Sequence, residues 1–423
     1  MLFEDFASAQ SALLWSSFAI AFVLGMVVTK TNFCTMGAVS DVVNIGDSGR
    51  MRAWFFAIAV AMLGVVILEA TGIASVDGSF PPYRGSNLVW AENLLGGIMF
   101  GIGMTFGSGC GNKTLIRIGG GNLKSIFVLW VIGVIAYYMV NPFPGSDKTL
   151  MSVLFINGTH LRDLAVSLSG PQDLGSMIGG KENAADMRTY IGIGLALLFI
   201  IYAVKSADFR KSFDNILAGF VVGGCIVAAW YVSGTMAVNI DGETSNLRAV
   251  VEGWDFIMDD AEGRPAAAAA WSTQSFTFIN PMGQSLGYGS ANFDYSLLTF
   301  GIMSLFGVIA GAFVWSILTR SFRFEWFVDA KDFLMHVIGA VLMGFGGVLA
   351  LGCTIGQGIT GTSTLALGSF IALAGIIFGS ALTMKIQYYK LCYEEEATFM
   401  KSLVASLCDM KMLPNSLRKL EAL

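Results

Sequence analysis

The chain has 423 residues, of which 55% are apolar and only 13% charged, with a net charge of -5 and a mean hydropathy of +0.67. That balance cannot cover a water-soluble surface, and it supplies no basic stripe for nucleic acid. What remains is an integral membrane protein, and its 51 glycines suit helices that approach one another closely in lipid.

In chain order, apolar stretches fall at 12-29, 53-73, 93-108, 123-140, 189-204, 215-234, 297-318, 335-351 and 366-384. Each nears the length that crosses a bilayer, so nine transmembrane helices are predicted. The first follows Glu4 and Asp5, with no basic region before it and no small-residue cleavage site after it, and is expected to be retained. Most Lys and Arg lie in 30-52, 109-125, 205-214, 319-334 and 385-423. The positive-inside bias therefore places the N-terminus outside and the C-terminus in the cytoplasm. An acidic stretch holding Asp241, Glu243, Glu252, Asp255, Asp259, Asp260 and Glu262 is expected to form an external cap with the loop at 141-188, and the Ala266 to Ala270 run is a linker or short helix.

An offset of 243 residues pairs Gly96 with Gly339, Gly101 with Gly344, Gly103 with Gly346, Gly109 with Gly352 and Cys110 with Cys353. An offset of 246 sets the loop at 31-37 against 277-283, which places Cys34 opposite Asn280. The chain thus reads as two four-span halves around the odd span at 189-204. An odd connector turns the second half upside down, the inverted-repeat plan of many transporters. The expected divisions are a first membrane repeat at 1-141, an external loop plus connector helix at 142-212, an inverted second repeat at 213-390 with an external insertion at 235-275, and a cytoplasmic tail at 391-423.

Each half carries two loops rich in Gly, Thr, Asn and Cys, at 31-37 and 107-121, then at 280-287 and 351-361. Such sequences make poor helix interiors and should interrupt the spans as re-entrant segments. Non-helical backbone survives at membrane depth only inside protein or along a watery cavity. Freed N–H groups at the broken ends can cradle an anion. The thiols of Cys34, Cys110 and Cys353 are small, soft, weak donors that match a polarizable sulfur oxyanion; as isolated residues they would read as small buried hydrophobes. Candidate path residues are Cys34, Cys110, Cys353, Asn280, Asn32, Thr35, Gly109, Gly111, Asn112, Gly352 and Thr354, with Cys225, Lys113 and Gln357 as further candidates. Cys225 has no repeat partner. Lys113 either draws anions to the inner exit or obeys the positive-inside rule. Glu69 either snorkels or couples transport, and His336 reads as interfacial.

Soluble-enzyme motifs are missing, including a phosphate-binding loop, a nucleophile elbow and a zinc-protease helix. The six cysteines show neither a C-x-x-C pair nor a His partner at ligand spacing, so no disulfide framework, metal or cofactor is expected.

The runs Asn32-Phe33-Cys34-Thr35-Met36-Gly37-Ala38-Val39-Ser40-Asp41, Gly107-Ser108-Gly109-Cys110-Gly111-Asn112 and Gly352-Cys353-Thr354-Ile355-Gly356 resemble the YeeE/YedE sulfur-transport family. The resemblance implies an all-α membrane fold of nine helices in an inverted-repeat hourglass. It implies that thiosulfate, or a similar sulfur anion, passes by hydrogen bonding to the thiols of Cys34, Cys110 and Cys353 in a bacterial inner membrane. The chain departs from the family at Asn280, where members that relay thiosulfate generally have a cysteine; a carboxamide still donates N–H bonds to an oxyanion. Other members are linked to selenium compounds and to signalling about sulfur oxidation. A selenium-compound transporter, a membrane receptor for a sulfur compound, and a partner handing sulfur to a small cytoplasmic sulfur-carrier protein are the alternative expectations.

Overall fold

The computed structural model describes the chain except residues 241, 258-263, 266, 395, 419 and 421-423. Asp241, Asp259, Asp260, Glu262 and Ala266 of the expected external cap and linker lie outside the described residues. The first half begins with a short strand β1 (Leu2–Phe3) and helix α1 (Phe6–Thr31). Asp5 starts that helix by accepting the Ser8 N–H at 2.7 Å, the usual role of an acidic cap. The helix stops at Asn32, whose φ of 52° is the left-handed turn that Asn tolerates. There follow α2 (Thr35–Ser40), a wider turn at Asp41–Ile45, α3 (Gly49–Ala70), β2 (Asn87–Leu88), α4 (Trp90–Phe106), α5 (Gly111–Gly119) and α6 (Leu123–Val140).

The connection to the second half contains β3 (Val166–Ser167), α7 (Leu174–Gly179), α8 (Ala184–Val204) and α9 (Ala207–Lys211). The second half runs through α10 (Phe213–Thr235), β4 (Ala237–Ile240), β5 (Glu243–Asn246), α11 (Leu247–Glu252) and α12 (Trp254–Ile257). It continues with α13 (Ile279–Ser290), α14 (Phe300–Leu318), α15 (Ala330–Leu349), a wide helical turn at Gly356–Gly361 and α16 (Leu367–Tyr393). Helix α17 (Phe399–Asp409) closes the chain. Among the described residues, nine helical segments are long and apolar enough to cross a membrane. The protein is an all-α, multi-pass membrane protein; β1, β4 and β5 tie the N-terminal residues to the insertion, with Leu2 opposite Ala237, while β2 pairs with β3.

The packing partners exchange between the halves. Helix α1 lies along α14 while α3 lies along α10, and α4 lies along α16 while α6 lies along α15. Glycine sets the α4–α15 crossing. A Cβ on Gly96 would stand 2.8 Å from the Gly346 carbonyl oxygen, and one on Gly103 2.7 Å from that of Gly339. These are one contact written twice, because the 243-residue offset converts each pair into the other. Carbonyl oxygens sit where side chains would otherwise be, so the close approach requires the missing Cβ.

Candidate functional site

The site is built from helix starts. Cys34, Cys110 and Cys353 each precede a short helix, and their carbonyls accept the first helical bond: from Ala38 at 2.9 Å, Thr114 at 3.0 Å and Gln357 at 2.7 Å. Each cysteine is therefore an N-cap. A Ser or Asp there would turn its side chain back onto the first-turn N–H groups. Cys34 and Cys110 make no such bond, whereas the Cys353 Sγ accepts from the Gly356 N–H at 3.4 Å. The breaks before Cys110 and Cys353 share a backbone: Ser108 and Leu351, equivalent under the repeat, are left-handed at φ 57° and 62°. Gly109 has φ 157°, and a Cβ on it would stand 2.8 Å from Lys113 Cγ.

The caps converge. Cys110 lies within electrostatic range of both Cys34 and Cys353, with the Thr354 hydroxyl beside its sulfur, and the Phe278 N–H lies beside the Cys353 sulfur. The three cysteines are buried and free of disulfides. Around them Thr35 Oγ1, Asn112 Oδ1, Thr277 Oγ1, Thr354 Oγ1 and Gln357 Oε1 are buried without a nitrogen or oxygen hydrogen-bond partner. Leaving such atoms unpaired costs about 1–3 kcal/mol each. Gln357 also lies against Gly352 and donates Nε2 to the Ala350 carbonyl at 2.5 Å. Gly111 packs on Ile279, where a Cβ would stand 3.0 Å from Cδ1.

One end of this line is cationic. Lys113 donates to Asn32 Oδ1 at 2.6 Å, Arg50 grips Asp41 at 2.5 Å, and Arg117 lies close enough to act on Lys113. The other end carries an ion-pair lattice. Arg84, only 3% exposed, donates to Glu69 at 2.5 and 2.9 Å, to Asp77 at 2.9 Å and to the Thr364 carbonyl at 2.9 Å. Arg188 joins Asp77 at 3.2 Å to Asp173 at 2.9 Å. Burial alone would raise both carboxyls. The hydrogen bond and charge of Arg84, then of Arg188, outweigh it at Asp77, and the Arg188 and Ser176 bonds do so at Asp173, leaving both below the usual carboxylate range. A cavity of about 510 Å³ opens over this lattice, bordered by Glu69, Asp77, Arg84, Arg188 and Ser363.

Cys225 donates its thiol to the Ile20 carbonyl at 3.8 Å, a contact between α10 and α1. Asn280 is half-buried in a crevice with Phe80, Gln284 and Thr299. The Met282 N–H bonds the Phe278 carbonyl at 3.2 Å, so Phe278, and not Asn280, holds the cap that Cys34 holds in the first half. The cap of α13 thus falls two residues before Asn280. Glu69 is bound to Arg84, and His336 Nδ1 lies 2.8 Å from the Asp332 carbonyl oxygen. Sequence reasoning missed Arg50, Tyr83, Arg84, Trp230 and Phe278. The one hint was Glu69, a carboxylate in a span whose partner had to come from somewhere.

A family model described as sulphur transport matches residues 30–382. Over 378 residues the chain is 24% identical to the thiosulfate transporter TsuA of Spirochaeta thermophila, covering 87% of this chain and 97% of the relative. Over 366 residues it is 24% identical to the thiosulfate transporter TsuA of Escherichia coli strain K12, covering 84% of this chain and 90% of the relative. The family match runs through all three cysteine caps and the helices that bring them together, and the chain belongs to the sulphur transport family.

Proposed function

We propose that the protein is a transporter, and not an enzyme, that takes up thiosulfate or a closely related sulfur anion across a bacterial inner membrane. The observation that carries the reading is the meeting of three buried N-cap thiols with unpaired polar atoms around them. A divalent anion can leave water only where donors replace its hydration. First-turn N–H groups, the hydroxyls of Thr35 and Thr354 and the Asn112 amide supply donors, and the thiols offer soft contacts to sulfur. Gly109, Gly111 and Gly352 let the backbone approach. The solute moves from the Arg84 lattice past Cys353, Cys110 and Cys34 to Lys113 and Arg50, whose charges favour arrival at the inner face. The exchanged helix partners support two halves related by a two-fold axis. With α8 as connector, the second half is inverted, the N-terminus lies outside and the C-terminus inside. The divisions at 1-141, 142-212, 213-390 and 391-423 follow that plan.

The test is growth and uptake in cells that lack their own thiosulfate permease and are given thiosulfate as sole sulfur source. The chain should restore radiolabelled uptake, and Cys110→Ala and Cys353→Ala should each lower it at least about tenfold. Restoration that survives both substitutions would remove the thiol role. Specific binding of thiosulfate without flux would instead favour a receptor, and uptake of selenium oxyanions alone would reassign the solute. Co-purification of a small sulfur-carrier protein would add a cytoplasmic partner.

A further inference from the structure

Next to Arg84 in sequence and within electrostatic range of Cys353 is Tyr83, packed on Trp230, and the path described above uses neither aromatic side chain. Tyr83 is 3% exposed and Trp230 fully buried, and their rings meet edge to face with centroids 6.4 Å apart. The Tyr83 hydroxyl and the Trp230 Nε1 both lack a hydrogen-bond partner among the described residues. Tyr83 also lies within electrostatic range of Cys353. Its neighbour Arg84 pins the loop to the Thr364 carbonyl at 2.9 Å, in the segment that follows the Cys353 helix. Buried donors are almost always paired, and the indole N–H can only donate. Burial, with Cys353 as the lesser cause, pushes the phenol above its ordinary range, so it stays protonated and able to donate. The Trp230 N–H can only donate and the protonated Tyr83 hydroxyl can donate beside it, so an acceptor is the partner the indole lacks. Their chemistry selects an oxygen-bearing anion.

We infer that Tyr83 and Trp230 form an outer oxyanion-binding station that receives the sulfur anion from the Arg84-lined cavity and presents it to Cys353. The station rests on the transport reading for its direction, and not for its ligand chemistry. Glu69 and Asp77 neutralise Arg84 at rest, so the arriving anion exchanges with those carboxylates before it reaches the two donors.

The experiment is calorimetric titration of the purified full chain in detergent with thiosulfate, alongside uptake, for wild type, Tyr83→Phe and Trp230→Phe. Tyr83→Phe removes one unpartnered oxygen, so its melting temperature should equal or exceed that of wild type while its Kd rises about tenfold, a charge-assisted hydrogen bond being at stake. Half-saturation of uptake should rise in parallel, with maximal rate within about twofold. Trp230→Phe should weaken binding in the same sense. Wild-type Kd and half-saturation in both variants overturn the station and leave transport standing. Binding that weakens in the variants of a protein without flux supports the station and overturns transport. Thiosulfate that fails to bind wild type overturns the station.

Discussion

At the level of single residues, the thiols divide by what they touch. Cys353 and Cys110 share caps, neighbours and a line of unpaired polar atoms, whereas Cys225 has only a long contact to the Ile20 carbonyl. Cys225→Ala should therefore leave thiosulfate uptake within about twofold of wild type, against a loss of at least about tenfold for Cys353→Ala; equal losses would show that the assay reads folding. Cys110 and Cys353 were legible in the sequence because they sit in Gly-rich breaks that recur at an offset of 243 residues. Tyr83 and Arg84 were not. They belong to the connection after α3, which carries no repeat or cysteine motif, and only the fold brings Tyr83 within range of Cys353.

At the level of elements, the α4–α15 crossing makes a specific demand. Gly103→Leu drives a side chain into the Gly339 backbone, which cannot give way as a flexible side chain would. It should lower the melting temperature in detergent strongly, overpacking costing typically about 1–3 kcal/mol or more. Gly194 on α8 has open space where its Cβ would be, so Gly194→Ala should be neutral or stabilising by up to about 1 kcal/mol.

Helix α17 makes a different one. Asp409 receives Lys385 at 3.2 Å and Tyr389 at 2.9 Å, and pairs with Arg418. Burial works to raise its carboxyl, but the bonds from Tyr389, Arg418 and Lys385 outweigh it and hold the carboxyl below its ordinary 3.8. A depressed native pKa gives stability that is complete above the unfolded value and lost as pH falls through the native one. Amide exchange in α17 should thus stay slow at about pH 5 and accelerate below about pH 4. Asp409→Asn should remove that dependence, and a pH-independent wild type would contradict the assignment. Within the 391-423 segment, α16 extends to Tyr393 and α17 docks against it.

At the scale of the molecule, nine spans were legible because lipid enforces long apolar runs, and among the described residues the structure keeps all nine, with some ends displaced by several helical turns. The largest extensions are at the breaks, where the first segment continues to Ile45 and the third to Gly119. Polar short helices there, such as α5, carry no hydropathy signal, and α5 is held by packing on α14 and α6. The same cause hid the Phe278 cap of α13: a cap is defined by a hydrogen bond, which composition does not reveal.

The central claim is that a sulfur anion crosses the protein along the converging N-cap thiols. Thiosulfate flux into proteoliposomes holding purified wild type, Cys110→Ala or Cys353→Ala tests it most directly. The account predicts saturable flux for wild type and at least about a tenfold loss in each variant, with melting temperatures unchanged. Wild-type flux in both variants would contradict it.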